Sequence, residues 1–195
     1  GITITGRAWP AEPQVRARIG IAPQALATYG DLTAEENLRF FGRLYDLHGR
    51  RLRRRVDAAL AMAGLEQRRS DLVRTFSGGM QRRLHLACAI VHEPQILFLD
   101  EPTIGVDPQA RNHILEAIEE LRRQGCTIIL TTHYMDEAER LCDRVAIMDR
   151  GRILALDRLA AVIGDHGGRS VVPRSVDQGP PARLPLPGRL HGDLL

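Results

Sequence analysis

The 195-residue chain is 44% apolar but only 4% aromatic, enough for one domain with a core built mainly from Leu, Ile, Val and Ala. Its 27 basic side chains, all arginine, nearly balance 24 acidic ones, and the resulting net charge of +3 argues against a dedicated nucleic-acid binder. Cys88, Cys126 and Cys142 lack metal-ligand spacing and read as buried thiols of a reduced, cytoplasmic protein, while no apolar run approaches the ~20 residues that span a bilayer, so any link to a membrane is expected through a partner.

The opening residues 1–6 alternate apolar and polar positions and predict an edge strand. Arg18-Ile19-Gly20-Ile21-Ala22 reads as a short strand halted by Pro23. Thr33 is predicted to cap a helix, with Glu36 completing a capping box, and Leu38, Phe41, Leu44 and Tyr45 are its predicted buried stripe. A second helix is expected over 53–63, ending at Gly64. Ser77 then caps a helix whose Leu84, Leu86, Ala87, Ile90 and Val91 predict burial and which Pro94 ends. A strand over 96–99 follows, then a helix from Pro108, capped by Asp107 and stopping at Gly125. Strand 126–132, helix 134–142 and strand 144–148 continue the alternation, and Asp149-Arg150-Gly151 turns the chain into a last strand over 153–156. Such alternation predicts an α/β fold, a mostly parallel sheet with helices on its faces. Past Gly164, glycines and prolines interrupt every period, and 165–195 is expected to be unstructured.

Two segments carry chemistry. Ile96-Leu97-Phe98-Leu99 ends in Asp100 and Glu101, which puts two carboxylates at the C-terminal edge of a buried strand, where open α/β folds bind ligands. In ATPases the first carboxylate of such a pair helps hold Mg²⁺ and the second orients or deprotonates the attacking water. Asp100 is therefore read as the metal residue and Glu101 as the residue acting on water. Alone, the pattern also describes a buried strand ending in solvated acids, but Pro102-Thr103 and Gly105-Val106-Asp107-Pro108 narrow it. Ser77-Gly78-Gly79-Met80-Gln81 sets a serine and two glycines at a helix N-terminus, where N–H groups and the helix dipole favour an anion. Glycine there admits close approach of a phosphate, although the same residues also describe a serine cap on a flexible turn. Arg50, Arg51, Arg53, Arg54 and Arg55 form the densest charge cluster and read as a solvated helix face. The phosphate-cradling G-x-x-x-x-G-K-[ST] loop needs a lysine, and these 195 residues contain none.

At Ser77, Asp100, Glu101 and His133 the chain resembles the ATP-binding cassette family, the ATPase subunits of membrane transporters. The resemblance covers about 1–156. Phe76 to Met80 resembles the family's five-residue signature, with Phe76 in place of the usual leucine and Met80 in place of the usual glutamine. In the family that motif reaches across a dimer to the γ-phosphate of ATP held by the other subunit, which implies nucleotide contacts for Ser77, Gly78 and Gly79. Gly105 to Asp107 matches a neighbouring loop that also faces the opposite subunit. Gln24, after Ile21-Ala22-Pro23, matches the glutamine that senses Mg²⁺ and the attacking water. His133, closing Thr131-Thr132, matches the switch histidine of the γ-phosphate. The run from His133 to Arg144 looks like exporters of the drug and polysaccharide type, whose membrane subunits are often separate chains, and Leu32 to Leu47 corresponds to the face that docks on them.

The resemblance implies an α/β, P-loop NTPase-like sheet with a helical subdomain over about 33–92, inside a partial ATPase domain over 1–164. It implies ATP and Mg²⁺ as cofactors, a second ATPase subunit and an integral membrane permease as partners, no nucleic acid, and a peripheral place on the inner face of the cell membrane. Without the lysine loop the chain itself is expected to bind ATP poorly and turn over negligibly. Gly1 in place of a methionine suggests a start inside a longer reading frame, with that N-terminal part of the fold missing. The other reading is a degenerate or non-transport cassette protein that lends its signature motif to a partner's ATP site.

Overall fold

The computed structural model describes residues 3–4, 7–8 and 12–158, so the expected tail over 165–195 lies outside the described residues. Residues 1–11 with 134–195 make one compact unit and 12–133 another. At the start, β1 (Thr3–Ile4) and β2 (Arg7–Ala8) form an antiparallel pair. The larger unit begins with α1 (Pro13–Arg16) and β3 (Ile19–Ala22), then runs through α2 (Ala34–Leu44), α3 (Gly49–Ala63), α4 (Gly78–Ile90), β4 (Ile96–Asp100), α5 (Pro108–Arg123) and β5 (Thr127–Thr131). Its three strands pair parallel in the order β3-β4-β5. The smaller unit continues with α6 (Met135–Leu141), β6 (Arg144–Asp149) and β7 (Arg152–Arg158).

The capping box forms as expected. Thr33 Oγ1 accepts from the Glu36 N–H at 3.1 Å, and Glu36 Oε2 accepts from the Thr33 N–H at 2.8 Å. The buried stripe of α2 is Ala34, Asn37, Leu38 and Gly42, however, and Leu44 is 63% exposed. Leu44 lies off the line that Leu38 and Gly42 share at (i, i+4) spacing, because 3.6 residues make a turn. Helix α3 begins ahead of the expected Arg53, since the arginine run hid its periodicity and Leu52 is already buried. It ends, as expected, at Gly64 in the left-handed region (φ 61°). Helix α4 stops at Ile90, before Pro94 is reached. The residue before a proline is disfavoured in the helical region, and Glu93 instead takes a φ of 58°.

Leu38, Leu60, Leu84 and Val91, each 0–1% exposed, anchor the core under the three helices. The sheet is less covered than the expected helices on both faces and the four apolar residues over 96–99 imply. Leu97 and Leu99 are buried, but Ile21, Phe98 and Ile129, a row in register across all three strands, are half-buried or exposed. Among the described residues only one face of the sheet is therefore closed. The parallel order also stops at β5: β6 and β7 form an antiparallel hairpin turned by Arg150 and Gly151, both with positive φ (48° and 75°), the geometry of a two-residue hairpin turn.

Two histidines are buried neutral. His92 is 7% exposed, stacks on Tyr45 with ring centroids 3.5 Å apart, and donates from Nε2 to the Ile19 carbonyl at 3.0 Å. His85 is 4% exposed and accepts at Nδ1 from the Ala27 N–H. Burial pulls both down to about 4, with neighbouring arginines adding to the shift. In the unfolded chain both titrate near 6.5, so between pH 6.5 and 4 the unfolded state binds protons that the folded state refuses. Stability is then fully present above pH 6.5 and falls as the pH drops. Urea unfolding at pH 7 and pH 5 should differ by about 2 kcal/mol for each histidine, roughly 4 kcal/mol for the pair, with about half that fall in His92→Gln. Equal stability at the two pH values contradicts the burial of neutral imidazoles.

Candidate functional site

Parallel strands deliver their C-terminal ends to one edge. Gln24 follows β3 and Pro23, Asp100 closes β4, and His133 stands just past β5. Asp100 is in register with Thr131, whose hydroxyl donates to Asp100 Oδ1. The chain then turns sharply at Glu101, whose φ of 44° costs a non-glycine residue on the order of 1 kcal/mol. Two hydrogen bonds hold that turn: Glu101 N–H to the Thr131 carbonyl at 3.0 Å, and Ile104 N–H to the Glu101 carbonyl at 3.2 Å.

The turn aims the Glu101 carboxylate between two of the other residues singled out by sequence. Oε2 accepts from Gln24 Nε2 at 3.0 Å, and Oε1 accepts from His133 Nδ1 at 3.0 Å. A carboxylate can only accept, so the proton of that histidine bond sits on Nδ1. The Glu101 side chain is 27% exposed and that of His133 53%, which leaves the group open to water and ligand. A carboxylate fixed by an amide and an imidazole can take a proton from a bound water. The Asp100 carboxylate and the Gln24 amide each carry oxygen donors, and together they could supply an all-oxygen set. Such a set fits Mg²⁺, which takes one or two protein ligands and fills its shell with water and phosphate oxygens. Among the described residues no group of three or more His, Cys, Asp or Glu holds a metal by itself.

Ser77, Gly79 and Asp107 belong to a separate cavity of about 290 Å³, lined also by Arg83, Gln109 and His113. None of the four residues at the sheet edge lines it. Ser77 Oγ accepts from the Met80 N–H at 3.3 Å and so caps α4, and Asp107 Oδ1 caps α5 by accepting from the Ala110 N–H at 2.9 Å. The amides of Gly78 and Gly79 have no acceptor among the described residues, as an anion site at a helix N-terminus requires. The two glycines differ. A methyl on Gly79 would lie 2.6 Å from the Ala110 Cβ, whereas one on Gly78 would meet nothing within 4 Å. Packing of α4 on α5 therefore dictates Gly79, and only Gly78 faces open space.

Arg83 and His113 escaped the sequence reading, although Gly79–Arg83 is an (i, i+4) pair and Ala110–His113 an (i, i+3) pair on the facing helix. Arg83 Nη1 donates to the carbonyls of Ala63 and Gly64, and His113 Nε2 donates to the Met62 carbonyl at 3.0 Å. Burial lowers the Arg83 pKa, and the Asp107 carboxylate opposes that shift. Thr131, likewise, looked like an ordinary strand residue. Gly79→Ala should cost about 1–3 kcal/mol of unfolding free energy by forcing α4 off α5. Gly78→Ala should stay within about 0.5 kcal/mol; equal effects of the two would show that packing does not separate them.

The sequence profile of the family described as ABC transporter matches residues 1–104. The linearmycin resistance ATP-binding protein LnrL of Bacillus subtilis (strain 168) is 43% identical over 163 residues, covering 84% of this chain and 52% of that protein. The Nod factor export ATP-binding protein I of Sinorhizobium fredii (strain NBRC 101917 / NGR234) is 45% identical over 172 residues, covering 88% and 50%. The chain thus spans about half the length of the curated relatives it matches. Among solved structures, one described as the ATP binding subunit of an ABC transporter superposes with a TM-score of 0.73 at 33% identity, covering 87% of this chain and 71% of that one. Another, cbiO1 from Clostridium perfringens, described as part of the ABC transporter complex cbiONQ, gives 0.73 at 28% identity, covering 84% and 67%.

Proposed function

The chain belongs to the ABC transporter family, and we propose that it serves as the ATP-binding and ATP-hydrolysing part of an exporter. In this role it couples hydrolysis to movement of substrate through separate membrane subunits. The observation that carries the proposal is the Glu101 carboxylate gripped by Gln24 and His133 beside Asp100. The printed names of the relatives, linearmycin resistance and Nod factor export, support the exporter side.

Asp100 and Gln24 would hold Mg²⁺, and Glu101 would take the proton of the attacking water. His133, bonded to Glu101 through Nδ1, would keep that carboxylate aimed and stand at the γ-phosphate. Magnesium supplies charge neutralisation between phosphate oxygens when bound. The second group, Ser77, Gly78, Gly79 and Asp107, would face the nucleotide of a partner ATPase subunit; Ser77, Gly79 and Asp107 line a cavity that none of the sheet-edge residues lines. No helix among the described residues is long and apolar enough to cross a membrane. In this role the protein would meet the inner membrane surface by docking on a permease.

In the native membrane assembly, Glu101→Gln should lower kcat for phosphate release by about 10²–10⁴-fold while ATP still binds. A kcat within a factor of about two of wild type would remove Glu101 from the chemistry. These 195 residues contain no lysine and so no P-loop. Titration calorimetry on this polypeptide alone should accordingly find no micromolar ATP site, and a micromolar Kd would overturn that part of the reading.

A further inference from the structure

Residues 23–28, which carry Gln24, have no helix or strand, and most of them are exposed. Side chains of a single helix hold their main chain. Arg82 Nη1 donates to the Gln24 carbonyl at 2.7 Å, and the Ala27 N–H donates to His85 Nδ1 at 3.0 Å. Arg82 and His85, one helical turn apart, share a face of α4. The loop is next tied at Tyr29, whose N–H and carbonyl both bond the Asn37 side chain of α2, at 2.8 and 3.0 Å. Between Pro23 and that knot, α4 sets where the loop lies.

We propose that Arg82 and His85 are positioning residues, a two-point clamp that passes the placement of Ser77, Gly78 and Gly79 at the start of α4 to Gln24 and so to Glu101. The inference rests on the ATPase reading of Gln24 and Glu101. Its physical basis is rigidity. From Leu84 to Val91 the helix is buried, so a displacement at its N-terminus would be carried along it as a rigid body. Both clamp bonds act on the backbone, and a shift of α4 is carried to the Gln24 amide that bonds Glu101 Oε2. Neither residue reaches the reacting atoms. His85 suits the task because an imidazole protonated on Nε2 presents Nδ1 as a fixed acceptor, and burial keeps it neutral at working pH. The guanidinium of Arg82 gives the stronger, charge-assisted bond.

The test has two arms. In the 195-residue chain, hydrogen exchange read by NMR should show a protected Ala27 amide. In His85→Leu its exchange should quicken about fivefold to tenfold, as expected for one lost hydrogen bond. His85→Asn, whose Oδ1 occupies the place of Nδ1, should restore protection. In the native membrane assembly, Arg82→Met and His85→Leu should each lower kcat at least about fivefold with the KM for ATP within about twofold, and His85→Asn should recover most of the loss. Unchanged Ala27 exchange in folded His85→Leu overturns the clamp. So does an unaltered kcat in Arg82→Met, a half-buried position whose aliphatic stem is kept. The exchange arm needs no turnover. A wild-type assembly without ATPase activity would therefore sink the proposed function while the exchange data still decided the clamp.

Discussion

Helix α4 lies where it does because two glycines admit close approaches, one to a backbone carbonyl and one to a side-chain methyl. A methyl on Gly20 of β3 would sit 2.4 Å from the Ala89 carbonyl oxygen, and one on Gly79 would sit 2.6 Å from the Ala110 Cβ. The first contact presses the C-terminal half of the helix against the sheet, and the second presses its N-terminus against α5. With both ends fixed, Leu84 and Val91 fill the core under α2 and α3. Arg82 and His85 of the helix then reach the loop after β3. Loss of either close approach moves the helix, and with it both groups of functional residues.

Those two groups are built on different physics. At the sheet edge, strand register does the positioning: pairing of Asp100 with Thr131 and of Ala22 with Leu99 brings three chain segments level, and the strained turn at Glu101 points its carboxylate back between them. At the start of α4, capping does it. Ser77 and Asp107 spend side-chain oxygens on helix ends, and the Gly78 and Gly79 amides have no acceptor among the described residues. In the proposed function one group would supply a base and a cation site and the other an anion site, and the cavity at the start of α4 is lined by none of the sheet-edge residues.

Local rules made much of this legible. The capping box at Thr33, the caps Ser77 and Asp107, the C-cap Gly64 and the burial of α4 all follow from residue types acting within a turn or two of their own position. The four residues now joined at the sheet edge were also legible, by motif order. What escaped depends on contacts distant in sequence. Nothing local marks Thr131 as the partner of Asp100, or His85 as the acceptor for Ala27, because those pairings exist only once the strands and α4 are in place. Leu44 was misjudged because an apolar residue at the margin of a stripe looks the same in sequence whether or not a neighbour covers it. The same holds for the sheet: apolar Ile21, Phe98 and Ile129 look alike in sequence whether or not a second layer covers them, and the described residues supply none. The packing role of Gly79 was hidden behind a motif that explained the glycine sufficiently without it.

The central claim is that the sheet-edge group and the α4 group serve different nucleotides. It is tested most directly by mixing two variants in the native assembly, Glu101→Gln, which disables the first group, and Ser77→Arg, which blocks the second. Each alone should be nearly inactive. A mixed dimer, however, keeps one site with an intact sheet edge from one subunit and an intact α4 start from the other. The account predicts that co-assembly restores a substantial fraction of wild-type ATP turnover. Mixed assemblies no more active than the separate variants would contradict it, and would place both groups on the same nucleotide.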